Sequence, residues 1–194
     1  GATLAHWVPR GTRPTLRPAF RDVPPGTGFE GEIEWMRAMR ISEGWSDNTY
    51  RPVQPVQRNA MAAFLYRAAG SPAFTAPTRA SFTDVPVGAP FFREIEWMKA
   101  AGITTGYRDN TFRPYDPINR DAMAAFLYRA SGSPAFTPPT RARFSDVPVG
   151  TAFRTEIEWL ASTGTTTGYA DGTYRPLSPV NRDAMAAFLY RRAG

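Results

Sequence analysis

The sequence predicts an all-α protein of three helix–loop–helix repeats, the second helix of each packed about a shared axis as a central three-helix bundle. The first observation behind this is a fixed period. Phe20-Arg21-Asp22-Val23-Pro24 returns as Phe82-Thr83-Asp84-Val85-Pro86 and as Phe144-Ser145-Asp146-Val147-Pro148, 62 residues apart each time with no insertion or deletion. Self-similarity at a constant spacing is the mark of a repeat architecture. The second observation is that Glu32-Ile33-Glu34-Trp35 recurs in the same register at Glu94 to Trp97 and Glu156 to Trp159. The third is the thrice-repeated stretch Met-Ala-Ala-Phe-Leu-Tyr-Arg, which begins three residues after Arg58, Arg120 and Arg182.

The elements follow in order. Residues 1–19 stand outside the repeats, and Val8-Pro9-Arg10-Gly11 looks like part of a protease-cleavage linker, so this segment is expected to lie outside the fold. The repeats run over 20–70, 82–132 and 144–194, joined by Pro-containing, semi-stiff linkers at 71–81 and 133–143. Each opens with an Asp-Val-Pro turn and continues into an amphipathic helix, over residues 90–101 in the middle copy. Phe91, Ile95 and Met98 fall on one face, as do Phe29, Ile33, Met36 and Phe153, Ile157, Leu160. Gly102 is placed to end this helix. The loop from Gly106 to Pro114 is rich in turn residues.

A second helix runs from Arg120 to Ala130, with Asn119 and Asn181 as favourable N-caps and Gln57 as a poorer one. Gly70 and Gly132, each followed by Ser-Pro, stop it. Met123, Phe126, Leu127 and Ala130 make one apolar stripe, while Ala124, Ala125 and Tyr128 cover much of the rest. A helix apolar on several faces needs partners on several sides. Since about 50 residues are marginal as an independent domain, one three-part body is expected.

Phe-x-Asp-Val, a helix with Ile and an aromatic, Gly-Ile-x-x-Gly-Tyr-x-Asp-(Asn/Gly)-Thr-Phe-x-Pro, then Pro-Ile-x-Arg-x-x-Met-Ala: in this order, and in triplicate over residues 20–194, these motifs resemble the S-layer homology module. The resemblance implies a pseudo-threefold assembly that holds a larger protein on a bacterial surface without a covalent bond. It implies a secreted, extracellular location at the cell wall of a Gram-positive-type bacterium. The implied partner is an acidic, often pyruvylated, secondary cell-wall polysaccharide linked to peptidoglycan and gripped in grooves between repeats. The family signature Thr-Arg-Ala-Glu reads here Gln57-Arg58-Asn59-Ala60, Asn119-Arg120-Asp121-Ala122 and Asn181-Arg182-Asp183-Ala184. The arginine is kept; the threonine and glutamate are not.

Those arginines are the first candidate ligand contacts. A guanidinium at a helix start, beside free N–H groups and the positive end of the dipole, suits a carboxylate. Asp121 and Asp183 partly satisfy their own helix ends and the first copy has Asn59, so the Arg58 end is expected to be the most electropositive. Asp22, Asp84 and Asp146 are read as turn-formers or as sugar-hydroxyl contacts. Trp45, Tyr107 and Tyr169 flank the loop and are candidates for stacking on sugar rings, with Thr104, Thr105, Thr166 and Thr167 beside them as hydroxyl donors. Trp35, Trp97 and Trp159 are expected in the core. In the first copy, Arg40 replaces glycine and Ser42-Glu43 replaces Thr-Thr, and Glu43 should repel an acidic ligand, so one groove is expected to be degenerate or differently specific.

Other chemistries find little support. No cysteine and one histidine leave no thiolate or clustered-imidazole metal site, and no cofactor is called for. Asp47, Asp109 and Asp171 give one carboxylate per loop, too few for calcium, and are read as turns. The glutamate pairs 32/34, 94/96 and 156/158 are two apart on a helix, do not face each other, and are expected on a solvated face. No Ser/His/Asp set or phosphate loop is present, so no enzyme is expected. No run is long enough for membrane insertion. The +6 charge raises a nucleic-acid-binding alternative, and a self-assembling structural repeat is another. Yet each repeat is neutral on its own; the excess lies in 1–19, 71–81 and 133–143, so nucleic acid is not the expected partner.

Overall fold

A computed structural model describes residues 7–11 and 20–193. Among the described residues six helices carry the fold: α1 (Glu30–Ala38), α2 (Arg58–Ala68), α3 (Phe92–Ala100), α4 (Arg120–Ala130), α5 (Arg154–Ser162) and α6 (Arg182–Ala193). No strand occurs among the described residues beyond three isolated bridges. The chain is an all-α, three-repeat assembly.

Close helix–helix packing joins different repeats: α2 lies on α3, α4 on α5, and α6 returns to α1. The tryptophan of each first helix seats edge-on against the tyrosine of the preceding second helix. Trp97 meets Tyr66 at 5.3 Å, Trp159 meets Tyr128 at 5.3 Å, and Trp35 meets Tyr190 at 5.5 Å between ring centroids. The three tryptophans are buried, as expected. The last of these contacts joins the third repeat to the first and closes a ring.

A ring of backbone hydrogen bonds marks the pseudo-threefold axis. The N–H of Val56 donates to Val180 at 2.9 Å, that of Ile118 to Val56 at 2.8 Å, and that of Val180 to Ile118 at 3.0 Å. The helices that start just beyond are capped by the neighbouring repeat. Arg58 and Asn59 donate their N–H groups to Asp116 and Pro114, Arg120 and Asp121 to Ser178 and Pro176, and Arg182 and Asp183 to Gln54 and Pro52. Gln57 and Asn119 do occupy the N-cap positions, but neither side chain caps. The orphan donors of these helix starts are met by backbone carbonyls instead. At the other end of α3, Gly102 takes φ 75° and Ile103 donates to Met98, the expected glycine stop.

The first helices differ from expectation in two ways. Phe29, Phe91 and Phe153 stand before their helices with φ of 59–60°, so they are not part of the helical face that Ile33, Ile95 and Ile157 bury. The glutamates Glu34, Glu96 and Glu158 are buried, not solvated. Glu96 accepts the N–H and hydroxyl of Ser81 at 2.8 and 2.6 Å, and Glu158 accepts the N–H of Arg143 at 2.9 Å. A buried carboxylate needs such donors, and here they come from the ends of the two linkers.

Residues 7–11 also depart from expectation, because they pack on the ring. Val8 donates to the Ala68 carbonyl at 2.8 Å, and the Trp35 indole donates to Pro9 at 3.1 Å. Arg10 donates through Nε and Nη2 to the carbonyls of Tyr190 and Arg191, both at 2.9 Å, at the end of α6. Residues 1–6 and 12–19, the rest of the segment expected to lie outside the fold, fall outside the described residues.

Candidate functional site

Each inter-helix loop is pinned from behind. Both carboxylate oxygens of Asp84 accept backbone N–H groups, from Phe112 and Arg113, at 2.8 Å. Asp22 does the same for Tyr50 and Arg51, and Asp146 for Tyr174 and Arg175. These aspartates set the loop and line neither of the two grooves described below. The arginines they hold, Arg51, Arg113 and Arg175, sit at φ of 58–59°, a conformation that needs such support. Gly106 has φ 70°, and a Cβ there would enter the ring of Phe82. Asp47, Asp109 and Asp171 accept from Thr49, Thr111 and Thr173, which holds their carboxyls below the ordinary range. They also pair with Arg51, Arg113 and Arg175 at 3.4–3.5 Å.

The helix-start arginines cross to the next repeat. Arg58 donates through Nε to the Phe112 carbonyl at 2.8 Å, Arg120 to Tyr174 at 2.7 Å and Arg182 to Tyr50 at 2.7 Å. All three are buried, and desolvation works against the charge of Arg58 and Arg182. Their guanidiniums lie over the loop aromatics: Arg182 is 4.3 Å from the centre of Trp45, Arg58 5.0 Å from Tyr107 and Arg120 4.9 Å from Tyr169. A second guanidinium, from Arg51, Arg113 or Arg175, lies 3.6–4.0 Å from the same rings. The structure thus unites the arginine set with the Trp45/Tyr107/Tyr169 set across repeats. The ring faces expected to stack on sugar already carry cations, and the N–H groups expected to be free are taken.

Two grooves open beside these stacks. One, of about 530 Å³, is lined by Arg40, Ser42, Glu43, Trp45, Asn59, Phe91, Arg67 and Arg182 among others. The other, of about 270 Å³, is lined by Arg58, Thr104, Thr105, Tyr107, Asp121, Arg129 and Phe153 among others. Thr104 is buried and its hydroxyl accepts from Gly106 at 3.2 Å, whereas Thr105 is exposed. In the third copy Thr166 is likewise buried and accepts from Gly168 at 3.2 Å, with Thr167 exposed.

Consecutive helix positions diverge by about 100°, so Arg58 reaches forward to the second loop while Asn59 faces its own. Asn59 therefore shares a groove with Arg182, and Asp121 shares one with Arg58. The residue expected to leave the Arg58 end most positive acts on Arg182 instead. Asp121 and Asp183 each accept the next N–H in their helix at 2.6 Å, and burial holds both carboxyls above the ordinary value.

Arg67, Arg129 and Arg191 are not among the residues that the sequence motifs single out. They donate to the carbonyls of Ile41, Ile103 and Thr165 at 3.0–3.2 Å, and the first two line the grooves. Their signal was available, because one arginine closes the repeated heptapeptide each time. Phe91 and Phe153 fit a helix face by their spacing, and no sequence signal separates them from it.

The described residues thus form a closed three-repeat ring with arginine–aromatic grooves at two of its seams. The S-layer homology domain profile matches residues 19–62, 81–124 and 143–186, and the chain belongs to that family. Cell surface glycoprotein 1 of Acetivibrio thermocellus is 27% identical over 184 residues, 90% of this chain. The chain spans 8% of that protein's length. No described helix is long and apolar enough to cross a membrane.

Proposed function

We propose that this chain is a non-enzymatic anchor that holds a larger secreted protein to the cell wall of a Gram-positive-type bacterium. It does so by binding an acidic polysaccharide, linked to peptidoglycan, in the inter-repeat grooves. The observation that carries the reading is the arginine at the end of each second helix, where Arg67 and Arg129 line the grooves beside Trp45 and Tyr107. A guanidinium beside an aromatic edge suits an anionic sugar, taking a carboxylate such as a uronic acid or a pyruvyl ketal in a bidentate fork. The exposed hydroxyls of Thr105 and Thr167 supply neutral contacts. Family membership and the cell-surface relative support a cell-surface location. More than one groove on one body gives avidity to a repeating polymer.

The test is co-sedimentation of the chain with purified sacculi, before and after their polysaccharide is stripped. Binding should vanish on stripped sacculi and in the Arg67→Gln, Arg129→Gln, Arg191→Gln triple variant, with its helicity intact. Equal binding to stripped sacculi would overturn the reading.

A further inference from the structure

The three repeats are near-copies in their core, but the groove around Trp45 is not a copy of the groove around Tyr107. Arg40, Ser42, Glu43, Trp45, Gln57 and Asn59 stand where the second repeat has Gly102, Thr104, Thr105, Tyr107, Asn119 and Asp121. All six line the larger groove. We infer that this groove is the dominant anion site of the chain, selecting a singly anionic sugar that also offers a hydroxyl or amide donor, with Arg40 and Asn59 as its specificity-determining residues.

Charge is the first support. Arg40, Arg67 and Arg182 line this groove against one carboxylate, Glu43, whereas Arg58 and Arg129 line the other against Asp121. Arg40 is exposed, and no hydrogen bond or ion pair holds its guanidinium among the described residues. Its backbone is in the left-handed region at φ 57°, where Gly102 and Gly164 sit at 75° and 76° in the other repeats. A side chain at a position that favours glycine costs stability, and strained residues gather at ligand sites.

Asn59 is the second, independent support. It is 4% exposed, and its Oδ1 is shielded from solvent with no hydrogen-bond partner. Asp121 and Asp183, in the same place, satisfy an oxygen on the next backbone N–H. An orphaned buried amide oxygen is costly, and a donor on a ligand in this groove would relieve it. Exposed Glu43 accepts a second hydroxyl and repels a second negative charge. Size agrees, since ligand pockets run to about 300–1,000 Å³; the groove of about 530 Å³ falls inside that range and the one of about 270 Å³ below it.

This inference rests on the wall-glycan reading and can fail without it. Trp45 makes the two separable, because the other two loops carry tyrosine there. The chain is labelled with 5-fluorotryptophan, and separately with 3-fluorotyrosine, and titrated by fluorine NMR. The probes are methyl glucuronide, a pyruvylated N-acetylhexosamine glycoside and, as a neutral control, methyl N-acetylglucosaminide. The Trp45 signal should move at lower concentration of an acidic probe than those of Tyr107 and Tyr169. Arg40→Gly and Asn59→Asp, each installing the residue a sister repeat already folds with, should weaken the Trp45 response about tenfold, the scale of one charge-assisted contact. If Tyr107 and Tyr169 respond first and neither variant changes Trp45, the inference is overturned and the anchoring reading stands. If no signal moves with either acidic probe, the acidic-glycan reading falls with it.

Discussion

Arg182 and Tyr50, 132 positions apart, hold each other by both ends. The Arg182 Nε donates to the Tyr50 carbonyl at 2.7 Å, and the Tyr50 hydroxyl donates to the Arg182 carbonyl at 2.8 Å. Arg120 and Tyr174 repeat the clasp at 2.7 and 2.8 Å. The Arg58 seam has only half of it, because Phe112 has no hydroxyl.

Restoring the missing half should stabilise the ring. Phe112→Tyr is expected to add about 1 kcal/mol, the net worth of one hydrogen bond, and to raise the thermal midpoint by roughly 2–4 °C for a chain of this size. Tyr50→Phe should lose a similar amount. Calorimetry of the two variants and their combination checks both signs; a destabilised Phe112→Tyr would mean that the Arg58 seam has a different shape.

Removing the arginine is a different matter. Arg182→Ala abandons the buried Tyr50 carbonyl and the packing on Trp45, and should cost about 2–4 kcal/mol. Urea unfolding measures it. Loss of wall binding in this variant therefore needs a fold control, which Arg67→Gln does not share to the same degree.

Asp84→Asn tests the loop clamp. One of two adjacent N–H groups loses its acceptor and faces an amide donor, so the variant should lose about 1–3 kcal/mol of stability. Sacculus binding by the fraction that remains folded should be unchanged. Wild-type stability with reduced binding would instead make Asp84 a ligand contact.

Burial raises the carboxyls of Asp121 and Asp183. The fold therefore penalises their ionised forms, a cost present above the folded value and relieved as pH falls through it. The Asp121→Asn, Asp183→Asn double variant escapes that penalty, so beyond the fixed cost of its amides a gap in its favour should open at pH 7. The gap should close below about pH 4, the ordinary carboxyl range. Thermal scans from pH 7 to pH 3 check this, and a gap that widened in acid would reverse the sign.

Much of this was legible from the period alone, since Ile33, Ile95 and Ile157 recur in one register and all end in the core. The glycine stops and the Asp47-type turns needed only local chemistry. What sequence could not supply was the partner repeat. When three units are alike, nothing in Arg58 says whether it serves its own loop or the next, so sequence order pairs Asn59 with Arg58 where the fold pairs it with Arg182. The glutamates misled for a related reason: Glu96 is buried because Ser81 comes back to meet it, a long-range contact invisible to helix periodicity.

Because α6 returns to α1, the ring has three seams but only two covalent crossings, and Arg10 spans the third from outside. Circular permutation tests what that means. Joining the ends and cutting instead within 71–81 or 133–143 should give the same body. A fourth repeat, by contrast, has no seam to enter, so unlike an open solenoid this scaffold cannot grow by duplication. Its room for change lies in letting its grooves drift apart.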